Sequence, residues 1–126
     1  EALRRPSGLW QQVIDQPDLG GNYDESSASA MIAYALLTGD RLGLCTAPAD
    51  LSRRLAAGVM GTRDGRPAMV EICEVAGLGA YQGRFRDGSA AYYLTEARVA
   101  NDAKGVGPLM MASAAAIGAR QRMAEA

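Results

Sequence analysis

Two ten-residue stretches of this chain are apolar on every side of a helix. They are ASAMIAYALL at 28–37 and PLMMASAAAI at 108–117. A helix of this kind must be surrounded by protein. The chain has 126 residues and one further helix pattern, which is amphipathic. One amphipathic helix cannot enclose two apolar ones, so we expect the chain to need either self-association or further protein to close its core.

Start and stop signals set the expected helix bounds. The first helix is predicted over about 25–38, with Ser26 or Ser27 as its cap and Glu25 beside its positive end. The second is predicted over 48–60 and the third over 108–123. The first and third should lie side by side and be buried.

The remaining segments read as long loops. Residues 1–5 resemble a helix end, and 6–24 are rich in glycine, proline, asparagine and aspartate. Residues 62–106 should be irregular with short strands, one in the alternating stretch 68–73 and a second at Tyr92–Thr95. Each buried helix follows a long loop, while the link from a buried to an amphipathic helix is short. Inner and outer helix hairpins then place both loops at one end, where a ligand would bind.

The composition excludes several kinds of site. Because the chain has no histidine, Ser-His-Asp, Cys-His and histidine-metal sites cannot be built from it. The separation of Cys45 and Cys73 in the sequence matches no metal-binding motif, so we expect neither a metal nor a cofactor. A net charge of −1 gives no reason to expect nucleic acid. No apolar run reaches the ~18 residues of a membrane span. Nothing at the start has a signal-peptide pattern, and the sequence is compatible with a location in the bacterial cytoplasm or the periplasm.

Four segments carry a family resemblance. They are GLWQQVIDQPD at 8–18, GNYDESSASAMIAYAL at 21–36, CEVAGLG at 73–79 and RDGSAAYYLTEARVANDAKGVGP at 86–108. Together they resemble the C-terminal third of the unsaturated rhamnogalacturonyl hydrolases, glycoside hydrolase family 105, which are related to the unsaturated glucuronyl hydrolases of family 88. Asp24 stands where an apolar residue is expected, and the stretch 48–67 is short.

The resemblance implies an all-α fold, part of an (α/α)6 barrel of six inner and six outer helices. Residues 1–126 would be a C-terminal fragment of that single domain, and its partner would be the missing N-terminal part. Family members release an unsaturated uronic sugar from lyase-generated pectin or related oligosaccharides. An aspartate protonates the sugar's double bond, water adds, and the glycosidic link is lost. That aspartate lies upstream, so we predict no catalytic residue here and an inactive isolated chain.

Five residues are candidates for binding the oligosaccharide. Trp10 lies in a loop at the predicted binding end and could stack on a sugar or pack as a core residue. A helix starting at Pro108 would offer an anion site beside Asn101, Lys104 and Gly105, although the glycines could simply shape a turn. Arg86 begins a turn that is either structural or in contact with ligand.

Other polar residues favour structural roles. Asp15, Asp18, Asp24 and Glu25 suit turns and a helix start better than a catalytic carboxylate pair. Cys73 is better explained as a small buried residue than as a nucleophile. A second function of a different class also fits the sequence: a small non-catalytic helical module that associates through its apolar helices.

Overall fold

The computed structural model describes residues 2–125, apart from the side chains at 120 and 122–125. Its helices are α1 (Ser26–Arg41), α2 (Leu51–Val59), α3 (Ala90–Tyr93) and α4 (Ala103–Glu125). Its strands are β1 (Met60–Arg63), β2 (Arg66–Met69), β3 (Ile72–Cys73), β4 (Gly79–Tyr81), β5 (Arg84–Arg86) and β6 (Arg98–Val99). They form antiparallel pairs, β1 with β2, β3 with β6 and β4 with β5.

Helix α1 begins and ends at other residues than predicted. Glu25, not a serine, is the N-cap, because its side chain accepts from the backbone N–H of Ala28. Gly39 remains helical, and the chain turns only at Gly43, whose φ of 72° is left-handed. The N–H of Leu44 then bonds the Gly39 carbonyl at 2.9 Å, which satisfies one of the carbonyls left open by the end of the helix.

Helix α4 begins five residues before the predicted Pro108. Asn101 adopts a left-handed φ of 58°, and the Asp102 carboxylate then accepts from the Lys104 N–H at 2.9 Å. The carbonyl of Asp102 accepts from Gly105 and Val106, so the helix is already under way. Pro108 lies inside the helix. Proline is favoured at the first helical position, which placed the predicted start at Pro108, but the Asp102 cap starts the helix earlier.

Three smaller predictions are also wrong. Residues 2–5 form a turn and coil, not a helix end. Tyr92–Thr95 is not a strand, because Ser89 accepts from the Tyr92 N–H at 3.1 Å and starts the short helix α3. The stretch 68–73 is divided between β2 and β3, since Glu71 has a left-handed φ of 57°. Short strands within the 62–106 segment are confirmed, but the segment also contains α3 and the first residues of α4.

The core lies where α1, α4 and α2 meet. Helices α1 and α4 pack side by side as predicted. Helix α2 buries Leu51, Leu55 and Val59 on one face, which confirms its amphipathic pattern. The fully buried side chains of the core come from the loop 6–24, the three helices and the strands: Leu9, Trp10, Ala30, Ala33, Leu51, Leu55, Val59, Met69, Ile72 and Ala112.

The two apolar helices are covered on one side only. Met31, Met110, Met111 and Ile117 are 46–67% exposed, which agrees with the expectation that this chain cannot enclose both apolar helices by itself. Burial of both helices on all sides stays a prediction for the closed assembly. These four residues define the open face of α1 and α4. Among the described helices, none combines the length and hydropathy that crossing a membrane requires.

Candidate functional site

Helices α1 and α4 start at the same end of the molecule, next to residues 69–73. The Ser26 N–H donates to the Glu71 carbonyl at 3.0 Å, and the Asn101 N–H donates to the Met69 carbonyl at 2.9 Å. Two helix starts are therefore tied to one short segment of chain. We call this region the helix-start end; the predicted arrangement of both long loops at one end agrees with it.

Glu25 is the central polar residue of the helix-start end. It is 2% exposed, and its carboxylate accepts from the Ser27 hydroxyl, the Ala28 N–H and the Cys73 N–H, the last at 2.9 Å. Charge-assisted bonds and the positive helix end offset part of the cost of burying this charge. The position of Glu25 at the helix start was predictable from the sequence, whereas its bond to Cys73 was not, because that bond depends on a tertiary contact.

Two titratable side chains pack beside Glu25. Cys73 is buried, and the Gln12 amide donates to its sulfur at 3.3 Å. Burial raises the pKa of the Cys73 thiol, which keeps it protonated at neutral pH. Burial likewise raises the pKa of Tyr23. Both groups therefore stay neutral, which agrees with Cys73 as a small buried residue.

Trp10 lies in the core and not on the surface of the loop. It is 3% exposed, with the Arg4 guanidinium 5.9 Å from its ring centroid. Its backbone N–H donates to the Ser29 hydroxyl at 3.0 Å, and its carbonyl accepts from the Glu25 N–H. The ring belongs to the core cluster, and the backbone bonds of Trp10 join the loop to the start of α1. This is the packing alternative named for Trp10 above.

The start of α4 brings together three of the candidate residues. Asn101 accepts through its side-chain oxygen from the Met69 N–H at 3.0 Å. Lys104 donates to the Glu74 carbonyl and lies 3.4 Å from the Asp102 carboxylate. A Cβ at Gly105 would stand 2.7 Å from Ile72, so this glycine lets β3 approach the helix.

Asp102 changes what this helix start can bind. The Lys104 backbone N–H lowers the pKa of the Asp102 carboxyl, so it carries a charge at neutral pH. This carboxylate lies at the observed N-terminus of α4, so the helix end that would attract an anion of the ligand already has a negative group. Substrate binding by Lys104 and Asn101 stays a prediction, but its premise of an uncapped helix beginning at Pro108 is wrong.

Arg86 lies away from the α4 start, on strand β5. Its guanidinium donates to the Leu78 and Gly79 carbonyls and lies 4.6 Å from the Tyr81 ring centroid. These contacts hold the β4–β5 hairpin together. The structure thus groups Asn101, Lys104 and Gly105, and leaves Arg86 and Trp10 in separate surroundings.

The acidic residues of the long loop do not form a metal-binding group. Asp15 and Asp18 are exposed, whereas Glu25 is buried with its oxygens bonded. Among the residues that the structure describes, no three histidine, cysteine or acidic side chains are grouped as metal ligands.

Comparison with curated proteins finds relatives of greater length. The chain is 51% identical over 123 residues to Protein Atu3128 of Agrobacterium fabrum (strain C58 / ATCC 33970), and equally to the 24.9 kDa protein in picA locus of Rhizobium radiobacter. In each case the match covers 90% of this chain and 53% of the relative. The chain therefore spans about half the length of these curated relatives.

A solved structure also matches. It is a glycoside hydrolase of family 105 from C. acetobutylicum ATCC 824, with a TM-score of 0.74 and 41% sequence identity. The match covers 90% of this chain and 33% of that one. The family model described as Glycosyl Hydrolase Family 88 matches residues 1–119. These matches confirm the resemblance drawn from the four segments, and the chain belongs to glycosyl hydrolase family 88, with a close structural relative in family 105.

Proposed function

We propose that this chain forms the C-terminal part of an (α/α)6 barrel hydrolase that releases unsaturated uronic acid from oligosaccharides. The observation that carries the proposal is the match to one third of a family 105 hydrolase at 41% identity. The open face supports it, because two parallel apolar helices are what the inner ring of such a barrel requires. The oligosaccharides would be lyase-generated fragments of pectin or a related polymer.

The proposed reaction is hydration of a vinyl ether. An aspartate from the remainder of the barrel gives a proton to the sugar's double bond, water adds across it, and the product loses its glycosidic link. In this scheme the residues described above contribute structure at the mouth of the barrel. Glu25 fixes the start of α1 against β3, and Asp102 fixes the start of α4.

The test compares the isolated chain with the full-length protein on unsaturated rhamnogalacturonyl and glucuronyl disaccharides. The unsaturated sugar absorbs in the ultraviolet, so its loss reports the reaction directly. We expect the full-length protein to remove the absorbance and residues 1–126 alone to match the buffer rate. Activity in the isolated chain would place a catalytic group within it and contradict the proposal. An inactive full-length protein would overturn the assigned reaction.

The open face also favours a second candidate, a helical module that associates without catalysis. Exposed methionines such as Met31 and Met111 are common on surfaces that bind other helices. The two candidates differ in what covers this face. In the barrel it is covered by other inner helices, whereas a module would show a defined stoichiometry with a separate partner.

A further inference from the structure

The β1–β2 hairpin places two arginines directly opposite each other. Arg63 and Arg66 are cross-strand partners at the end of the ladder, joined by the two-residue turn Asp64-Gly65. Both turn residues have left-handed φ values, 51° and 74°, as a type I′ turn requires. Side chains of directly opposed residues lie on the same face of the hairpin, with their Cβ atoms about 5 Å apart.

This pairing is unfavourable for the hairpin itself. Like charges directly opposite each other destabilise a strand pair. Four other arginines of the chain are paired with carboxylates: Arg4, Arg54, Arg84 and Arg98. Within the described part of the chain, neither Arg63 nor Arg66 has an ion pair, although Asp64 lies between them. An anion bound between the two guanidinium groups would offset this repulsion.

The two arginines line a pocket that is large enough for a sugar. Its volume is about 520 Å³, and its other walls are Asp64, Pro67, Ala100 and Asn101. Two arginines and one aspartate give this lining a net charge of +1. The neighbouring pair of Arg98 and Glu71, 2.8 Å apart, is neutral. Asn101 uses its side-chain oxygen on Met69, so its amide nitrogen is a further donor at the pocket wall.

The pocket lies at the helix-start end. Asn101 belongs to both, since it lines the pocket and stands two residues before α4. A ligand in the pocket would therefore extend from the mouth of the proposed barrel along the hairpin. Guanidinium groups bind carboxylates through two parallel N–H bonds, which suits a uronate better than a neutral sugar.

We infer that Arg63 and Arg66 form a clamp for a uronate carboxylate of an acidic oligosaccharide. Resting on the proposed function, the clamp would hold a sugar beyond the unsaturated one that is released. It would make acidic chains better ligands than neutral chains of equal length. No covalent step occurs there.

Binding is tested without turnover, using saturated digalacturonate as the probe and the full-length protein. Isothermal titration should show binding that weakens with added salt, and galactobiose, which lacks the carboxylates, should bind at least about tenfold more weakly. The double variant Arg63→Gln/Arg66→Gln should lose about tenfold in affinity for digalacturonate. The double variant Arg41→Gln/Arg53→Gln removes the same two positive charges from exposed positions on α1 and α2, and its affinity should stay within about twofold of the unmodified protein.

A stability measurement separates loss of the clamp from loss of the fold. Because the opposed charges repel, the double variant should unfold at the same or a higher urea concentration than the unmodified protein. No detectable binding of digalacturonate by the unmodified protein overturns the inference. Equal affinities in the unmodified protein and the double variant do so as well.

Kinetics distinguish this inference from the proposed function. With an unsaturated substrate that carries a second uronate, the double variant should have a raised KM and a nearly unchanged kcat, because the clamp holds a part of the substrate that does not react. If the protein binds digalacturonate through the clamp but removes no ultraviolet absorbance, the proposed reaction fails and the clamp stands. If hydrolysis proceeds with the same KM in the double variant, the clamp fails and the reaction stands.

Discussion

Among single residues, Glu25 links two elements that are far apart in the sequence. Its carboxylate caps α1 through Ala28 and accepts from the N–H of Cys73, 48 positions along the chain. An acid before an apolar helix predicts that Glu25 lies at the positive helix end, although the cap itself was predicted to be Ser26 or Ser27. The contact with Cys73 was not predictable, since it requires β3 to turn back at Glu71, whose left-handed φ breaks the alternating pattern. The same limit applies to Trp10, whose residue type favours packing over sugar stacking but does not identify the residues against which it packs.

Replacing Glu25 with glutamine tests this link. One acceptor oxygen becomes an amide donor, so one buried N–H or hydroxyl loses its partner. We expect the free energy of unfolding to fall by about 2–3 kcal/mol in urea titrations. Glu71→Gln is the matched control, because its ion pair with Arg98 is solvent-exposed, and it should cost less than about 1 kcal/mol. Equal losses in the two variants would show that Glu25 contributes no more than a surface charge.

At the scale of elements, the types of the three main helices were predictable and their ends were less so. Apolar periodicity identified α2, and long runs that are apolar on every side identified α1 and α4, because packing acts over the whole length of a helix. The ends depend on a few backbone bonds. The predicted end of α1 was just before Gly39 and the predicted start of α4 was Pro108. In the structure the chain leaves α1 at Gly43, and Asp102 precedes the first residue of α4. Strand β1 was missed altogether, although the Asp-Gly pair at 64–65 is a known hairpin signal.

Two glycines in the first turns of α4 test how closely β3 packs on this helix. A Cβ at Gly105 would meet Ile72 at 2.7 Å and Met69 at 3.2 Å, whereas one at Gly107 meets nothing within 4 Å. Gly107→Ala should stabilise the protein by up to about 1 kcal/mol through helix propensity. Gly105→Ala should destabilise it by about 1–3 kcal/mol, since overpacking outweighs the same gain. Thermal unfolding of both variants gives the comparison, and a stabilised Gly105→Ala protein would mean that β3 can move away at no cost.

At the scale of the whole molecule, both the sequence and the structure indicate that α1 and α4 have apolar surface that this chain does not cover. Two helices without a polar side were expected to have more apolar surface than one amphipathic helix can cover. Among the described side chains of the two helices, Met31, Met110, Met111 and Ile117 are large, apolar and exposed. The arrangement of a complete barrel could not be obtained from the residues alone, because most of its walls are formed by other helices. It entered through the family resemblance, and it stays part of the proposal.

The association state of residues 1–126 tests the open face. Contiguous exposed apolar surface drives association, so the isolated chain should form larger species as its concentration rises, measured by size-exclusion chromatography with light scattering. The triple variant Met31→Gln/Met110→Gln/Met111→Gln should restore a monomer with unchanged helical circular dichroism. The control variant Leu42→Gln/Leu44→Gln/Phe85→Gln, whose positions are 59–78% exposed elsewhere, should still associate. A single dimeric species that unfolds in one sharp, cooperative transition would favour the interaction module. A chain that stays monomeric at every concentration would mean that the face needs no cover, and the barrel proposal would lose its structural support.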